Sequence, residues 1–167
     1  RIGGRPIAYM LRHGYAGQIL PVNPNRAEIQ GLPAFASVAE LPQAPDVAIV
    51  AVPAPQVLET VRALGRQGAR SAIVFSSGFS EVGEAGAAMQ DAVVAAAREH
   101  GMRLLGPNAL GAFNSNLGYY AFFSTSLERG VPLPGRVGIA TQSGAYGAHL
   151  LGMARQRRLG TPICVAT

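Results

Sequence analysis

Short polar segments are where chemistry can reside in this chain. Val22-Asn23-Pro24-Asn25-Arg26, Val52-Pro53-Ala54-Pro55, Ser76-Ser77-Gly78-Phe79 and Gly106-Pro107-Asn108 combine rigid prolines, glycines that admit a close backbone approach, and short amide or hydroxyl donors. Each alone is ordinary strand-to-helix turn chemistry. Four of them on one sheet edge point to a nucleotide-like ligand. A fifth, Thr141-Gln142-Ser143-Gly144, runs from a strand into a helix, so its backbone N–H groups and the positive helix end converge on one spot suited to an anion. Its plainer reading is that Ser143 is a helix N-cap.

Composition removes other chemistries. The 167 residues contain 14 basic side chains, every one arginine, so a phosphate-loop lysine, a Schiff-base lysine and a lysine general base are all impossible. His13 and His100 each precede a glycine at a helix end, where imidazole bonds terminal carbonyls, and His149 lies one turn into the last helix. Glu81 and Glu84 read as helix-start acids. Cys164 is the only cysteine, among apolar neighbours, and reads as a small buried residue. No triad, paired-carboxylate or metal-ligand spacing stands out. The net charge is +5, but the arginines are scattered except for Arg155, Arg157 and Arg158, the last turn of a helix, so nucleic acid is not the expected partner. No apolar run approaches the ~18 residues that span a bilayer, and no leader opens the chain, so the expectation is no membrane association and a cytoplasmic setting.

The elements that position these segments alternate. A short helix over Ile7–Leu11, a strand over Gln18–Val22, a strand over Asp46–Val52 apolar on both alternations, a helix over Gln56–Gln67, a strand over Ser71–Phe75, an alanine-rich helix over 82–100 and a strand over Arg103–Leu105 follow in turn, with a loop and a possible helical turn after the first strand. That is an α/β fold, a doubly wound parallel sheet with right-handed crossovers. Such a sheet begins with a strand, so a first strand and its glycine turn are expected upstream, Gly3-Gly4 being the tail of that turn. Tyr119-Tyr120-Ala121-Phe122-Phe123 reads as a hairpin or an interdomain cover. The strand over Gly135–Thr141, the helix over Ala145–Arg158 and the strand over Thr161–Val165 form a second β-α-β unit. Two strands cannot bury their faces alone, so residues 131–167 are expected to begin a second α/β domain after a first spanning residues 1–130.

The series P-V-N-P, V-x-V-P, S-x-G-F-S-E, L-L-G-P-N-A-L-G and G-x-V-G-I-x-T-Q-S-G-A resembles the CoA-binding part of the NDP-forming acyl-CoA synthetases, relatives of the succinyl-CoA synthetase alpha subunit. The resemblance runs from about Arg5 to Thr167. It implies a Rossmann-like CoA-binding domain followed by the start of a flavodoxin-like domain. Val22, Asn23, Pro24 and Asn25 would then meet the adenosine end of CoA, and Val52 and Pro53 would wall the groove. Ser76, Ser77, Gly78 and Phe79 would line the pantetheine path, and Pro107 and Asn108 would shape the thiol end. Many relatives carry lysine just after P-V-N-P; here Asn25 and Arg26 stand instead, and Arg26 can supply a bidentate phosphate contact. Gln142, Ser143 and Gly144 would receive the phosphate of a phosphohistidine that lies beyond Thr167.

The resemblance implies acid + CoA + NTP going to acyl-CoA + NDP + phosphate, with ATP and magnesium held by an ATP-grasp domain elsewhere, a carboxylic acid as second substrate, and no catalytic residue within these 167. Two alternatives are an NAD(P)-dependent dehydrogenase domain, with Arg26 or Glu28 as displaced ribose readers, and the CoA-sensing module of a protein acyltransferase.

Overall fold

The computed structural model describes residues 2–167, the Arg129 side chain excepted. The first helix, α1 (Arg5–Arg12), carries Pro6 in its opening turn, where the missing N–H costs no hydrogen bond, and closes with the His13 N–H on the Tyr9 carbonyl at 2.9 Å. Next come a two-residue hairpin, β1 (Glu28–Ile29) with β2 (Leu32–Pro33), then β3 (Val47–Val50), α2 (Ala54–Arg66), β4 (Ser71–Val74), α3 (Glu84–Glu99) and β5 (Arg103–Leu105). A second hairpin, β6 (Gly111–Asn114) with β7 (Tyr119–Phe122), is followed by β8 (Gly138–Thr141), α4 (Gly144–Gln156) and β9 (Ile163–Ala166). The chain divides into two compact units, Gln18–Asn108 and the segment up to Gly17 together with Ala109–Thr167.

In the Gln18–Asn108 unit, β3, β4 and β5 form a parallel sheet in that order, with Val50 beside Val74 and Ile73 beside Leu105. Right-handed crossovers between consecutive neighbours put both connecting helices on one face, and α2 and α3 do pack against each other. Val57, Val61 and Leu64 of α2, at helical spacing, meet Val93, Ala96 and Ala97 of α3 in one core with Val50, Val74 and Phe79. The sequence suggests that the strand over Asp46–Val52 is covered on both faces; instead β4 is the buried one, and Val47 of β3 is 39% exposed because β3 ends the strand order. The expected strand over Gln18–Val22 reduces to a single bridge between Val22 and Phe35. Pro21, with no N–H to donate, interrupts any ladder there, while its carbonyl accepts from the Phe35 N–H at 2.9 Å.

In the other unit the strand order is β7-β6-β9-β8, with β8 and β9 parallel about the α4 crossover and β6 antiparallel to both its neighbours. The aromatic run is thus a hairpin strand. Phe113, Tyr120 and Phe122 are buried, the two phenylalanine rings edge-to-face at 5.4 Å, and α1 lies against β7 with the Tyr9 hydroxyl donating to the Ser124 carbonyl at 3.1 Å. Cys164 is wholly buried opposite Phe113, which pushes its thiol up to about 11. The β8–β9 pair is no two-stranded remnant, since β6 covers the open edge of β9. Strands on both sides of the expected 130/131 boundary therefore share one sheet, and the compact units divide at Gly17 and Asn108. Among the described residues no helix is long and apolar enough to cross a membrane.

Gly86, in the first turn of α3, sets how closely that helix approaches the loop after β4. A Cβ built there would lie 1.9 Å from the Phe79 carbonyl oxygen. Although alanine is the better helix former, Gly86→Ala is expected to lower stability by about 1–3 kcal/mol through overpacking, measured by urea denaturation.

Candidate functional site

The loops that leave β3, β4 and β5 are tied together in series. The Phe75 N–H donates to the Val50 carbonyl at 2.9 Å, the Ser76 hydroxyl to the Val52 carbonyl, and the Asn108 N–H to the Ser76 carbonyl at 2.9 Å. Val52, Pro53, Ser76, Ser77, Gly78, Pro107 and Asn108 are thereby gathered at the carboxyl ends of three parallel strands, where open α/β sheets hold ligands. Pro53 is the N-cap residue of α2, so the opening N–H groups of that helix belong to the same edge. Two residues need left-handed backbone. Gly78 has φ +101°, and a Cβ on it would come 3.3 Å from that of Ala54; Asn108 has φ +56°, a region asparagine tolerates.

Phe79 belongs to the edge differently than its sequence context suggests. Its ring is fully buried in the core and cannot line a groove, so it anchors the loop from beneath while its backbone borders the edge. Glu81 was not singled out as a site residue. Its carboxylate accepts the Gly78 N–H at 2.6 Å and closes the loop, and that backbone bond, with lesser ones from its own N–H and that of Phe79, holds its carboxyl below the usual range. The usable signal is a carboxylate three residues after a turn glycine, the reach-back spacing of a capping box.

Val22-Asn23-Pro24-Asn25-Arg26 is a compact turn in the same unit. The Asn23 Oδ1 accepts the Asn25 N–H at 2.9 Å, the Asn23 carbonyl accepts the Arg26 N–H at 3.4 Å, and the Asn23 N–H donates to the Phe35 carbonyl at 2.8 Å. Arg26 is exposed. Gln142, Ser143 and Gly144 lie in the other unit, where Ser143 caps α4: its Oγ accepts the Tyr146 N–H at 3.3 Å, and its own N–H donates to Thr141 Oγ1 at 3.2 Å. The histidines serve other contacts. His13 lies against the Tyr120 ring, its pKa lowered by burial and by nearby Arg12, and the His100 imidazole packs where Gly65 has no side chain. Glu28, the displaced ribose reader of the dehydrogenase alternative, is exposed at the start of the small β1–β2 hairpin.

A proline-walled edge, clustered hydroxyls and amides and helix-start N–H groups suit a ligand with phosphates and a flexible amide arm. Residues 1–115 match the family described as a CoA binding domain. The chain belongs to that family. The chain is 38% identical over 167 residues to a trans-feruloyl-CoA synthase, FCS1, from an unknown prokaryotic organism, a match covering 99% of this chain and 24% of that protein. It is 38% identical over 135 residues to an ADP-forming acetate–CoA ligase II of Archaeoglobus fulgidus, covering 81% of this chain and 20% of the relative. Among solved structures, an acetyl-coenzyme A synthetase 1 of Ca. Korarchaeum cryptofilum in complex with phosphate and ADP superposes with a TM-score of 0.91 at 33% identity, over 99% of this chain and 34% of that one. The chain spans about a fifth to a quarter of the length of these two curated relatives, the second of which is an ADP-forming CoA ligase.

Glu81 gives the edge a pH signature. A depressed carboxyl pKa adds stability that is complete above the ordinary value of 4.5 and is lost as pH falls through the folded-state value. Glu81→Gln is expected to cost about 0.5–1 kcal/mol at pH 7, a modest loss because the carboxylate is exposed. The gap to the wild type should close below pH 4.5, as followed by chemical denaturation across pH.

Proposed function

We propose that this domain holds CoA along the carboxyl ends of β3, β4 and β5 within an NDP-forming acyl-CoA synthetase. The whole protein would convert acid, CoA and NTP to acyl-CoA, NDP and phosphate through an acyl phosphate and a phosphohistidine supplied by another part of the protein. The observation that carries the reading is the serial hydrogen bonding of three loops in a chain of the CoA binding domain family.

In this reading Val52 and Pro53 form the apolar wall, and Ser76, Ser77 and the Gly78 backbone follow the pantetheine arm. Asn108 and Pro107 flank the thiol, and the Asn23–Arg26 turn takes the adenosine end, with Arg26 meeting a phosphate in place of a lysine. Gln142, Ser143 and Gly144, at the start of α4, receive a phosphoryl group. The carboxylic acid is the second substrate, and ATP with its magnesium is bound by an ATP-grasp domain or subunit. The domain alone binds CoA and does not turn over.

Calorimetric titration with CoA, with NAD and NADP as controls, tests this reading. Asn108→Gly keeps the left-handed turn and deletes only the amide, so CoA affinity is expected to fall about tenfold, or about 1.4 kcal/mol, with stability retained. Pro53→Ala is expected to weaken CoA similarly. Dinucleotide binding without CoA binding would overturn the reading.

A further inference from the structure

The end of α1 and the start of β7 meet within one compact unit, and they meet closely. Gly118, at φ +63°, has no side chain to hold them apart: a Cβ built on it would lie 2.7 Å from the His13 carbonyl oxygen and 2.9 Å from the Tyr15 nitrogen. Rings flank this backbone contact. His13 lies 5.2 Å from the Tyr120 ring, which itself packs on Phe113, and Tyr15 lies 5.6 Å from the Tyr119 ring. Among the described residues, two buried side-chain polar atoms have no hydrogen-bond partner, His13 Nε2 and the Tyr119 hydroxyl, and both sit at this contact. Such atoms are costly to enclose, and the CoA reading uses neither.

The surroundings of His13 suit a neutral imidazole. Imidazolium carries an N–H on both ring nitrogens, so a protonated His13 would enclose an Nε2–H donor with nothing to accept it. On α1 its charged neighbour is Arg12, a like charge; on β7 it faces Tyr120, with Phe113 of β6 behind that ring. The phenols of β7 stay neutral, burial raising that of Tyr120 and pushing that of Tyr119 up to about 12. Glu128 acts nearer the start of α1, at 3.9 Å from Arg5 and 3.4 Å from the Tyr9 hydroxyl. A helix end draws a cation, but Arg12 already supplies one to the last turn of this eight-residue helix. Burial first and Arg12 second therefore lower the His13 pKa.

We propose that the contact of α1 with β7 is a proton-operated latch, shut while His13 is neutral and parting when its imidazole takes up a proton. A fold that disfavours the charged form keeps its full stability above the ordinary value of 6.5 and loses it as pH falls below that value. Parting frees α1 and bares the Tyr120 ring, while β6, β9 and β8 keep their own backbone ladders. The latch does not rest on the CoA reading, and the two fail separately.

The test uses the full protein that carries this domain, in hydrogen exchange read by mass spectrometry at about pH 7.5 and about pH 5.5, with rates corrected for the intrinsic effect of pH. At the lower pH the peptides of α1 and β7 are expected to lose protection by about threefold or more, with β3, β4 and β5 unchanged. Exchange of the imidazole C2 hydrogen, followed across pH in the wild type, should give His13 a midpoint below 6.5. His13→Phe keeps a ring against Tyr120 and cannot take up a proton, so its α1 and β7 peptides should be equally protected at both pH values, and those of His13→Gln likewise. A His13 midpoint at or above 6.5, equal wild-type protection at both pH values, the same acid loss in His13→Phe, or a loss shared equally by β3, β4 and β5 would overturn the proposal.

Discussion

Ser76 holds both of its neighbours. Its hydroxyl donates to the carbonyl of Val52, and its carbonyl accepts the N–H of Asn108, so one residue fixes the spacing of the loops that leave all three parallel strands. Parallel strands need long crossovers, and nothing in a crossover itself dictates how the loops at its start align with those of the next strand. Here polar bonds between loops supply that alignment, and the parts beneath serve it. Phe79 anchors the second loop in the core, Gly86 lets α3 ride close under the Phe79 carbonyl, and the Glu81 carboxylate closes the turn at Gly78. A groove for a long flexible ligand gains from such prior order, since a rigid edge leaves only the ligand to be ordered on binding.

The second unit follows another logic. Its sheet joins a hairpin to a β-α-β crossover through β6, which pairs antiparallel on both sides, and its aromatic core packs Phe113, Tyr120 and Phe122 beside α1. The start of α4 offers the ordinary capped geometry of a strand-to-helix turn. Ser143 accepts one backbone N–H and leaves its own hydroxyl proton to donate, which is compatible with an anion without requiring one.

Much of this architecture was legible in the residues because local rules and burial agree. Val57, Val61 and Leu64 announced α2, the run from Ala72 to Phe75 announced the buried β4, and Gly68 and Gly101 marked helix ends at φ +87° and +65°. Family motifs located the polar loops. What escaped depends on relations the chain order does not carry. Pro21 silenced a strand that its apolar neighbours advertised, and β6 recruited β9 from about fifty residues away, shifting the boundary between units. Phe79 looked like a groove residue because its neighbours are small and polar, yet its apolar area decided its place. Glu81 looked like a helix-start acid because nothing local reveals that Gly78 turns its N–H back toward it.

The account turns on whether the joined loops are where CoA lies, and amide hydrogen exchange with and without CoA addresses that directly. It predicts added protection at residues 53–56, 76–79 and 106–108, with the β1–β2 hairpin and the strands of the second unit unchanged. Saturating CoA that leaves those three loops exchanging as before, or that protects a different surface, would contradict it.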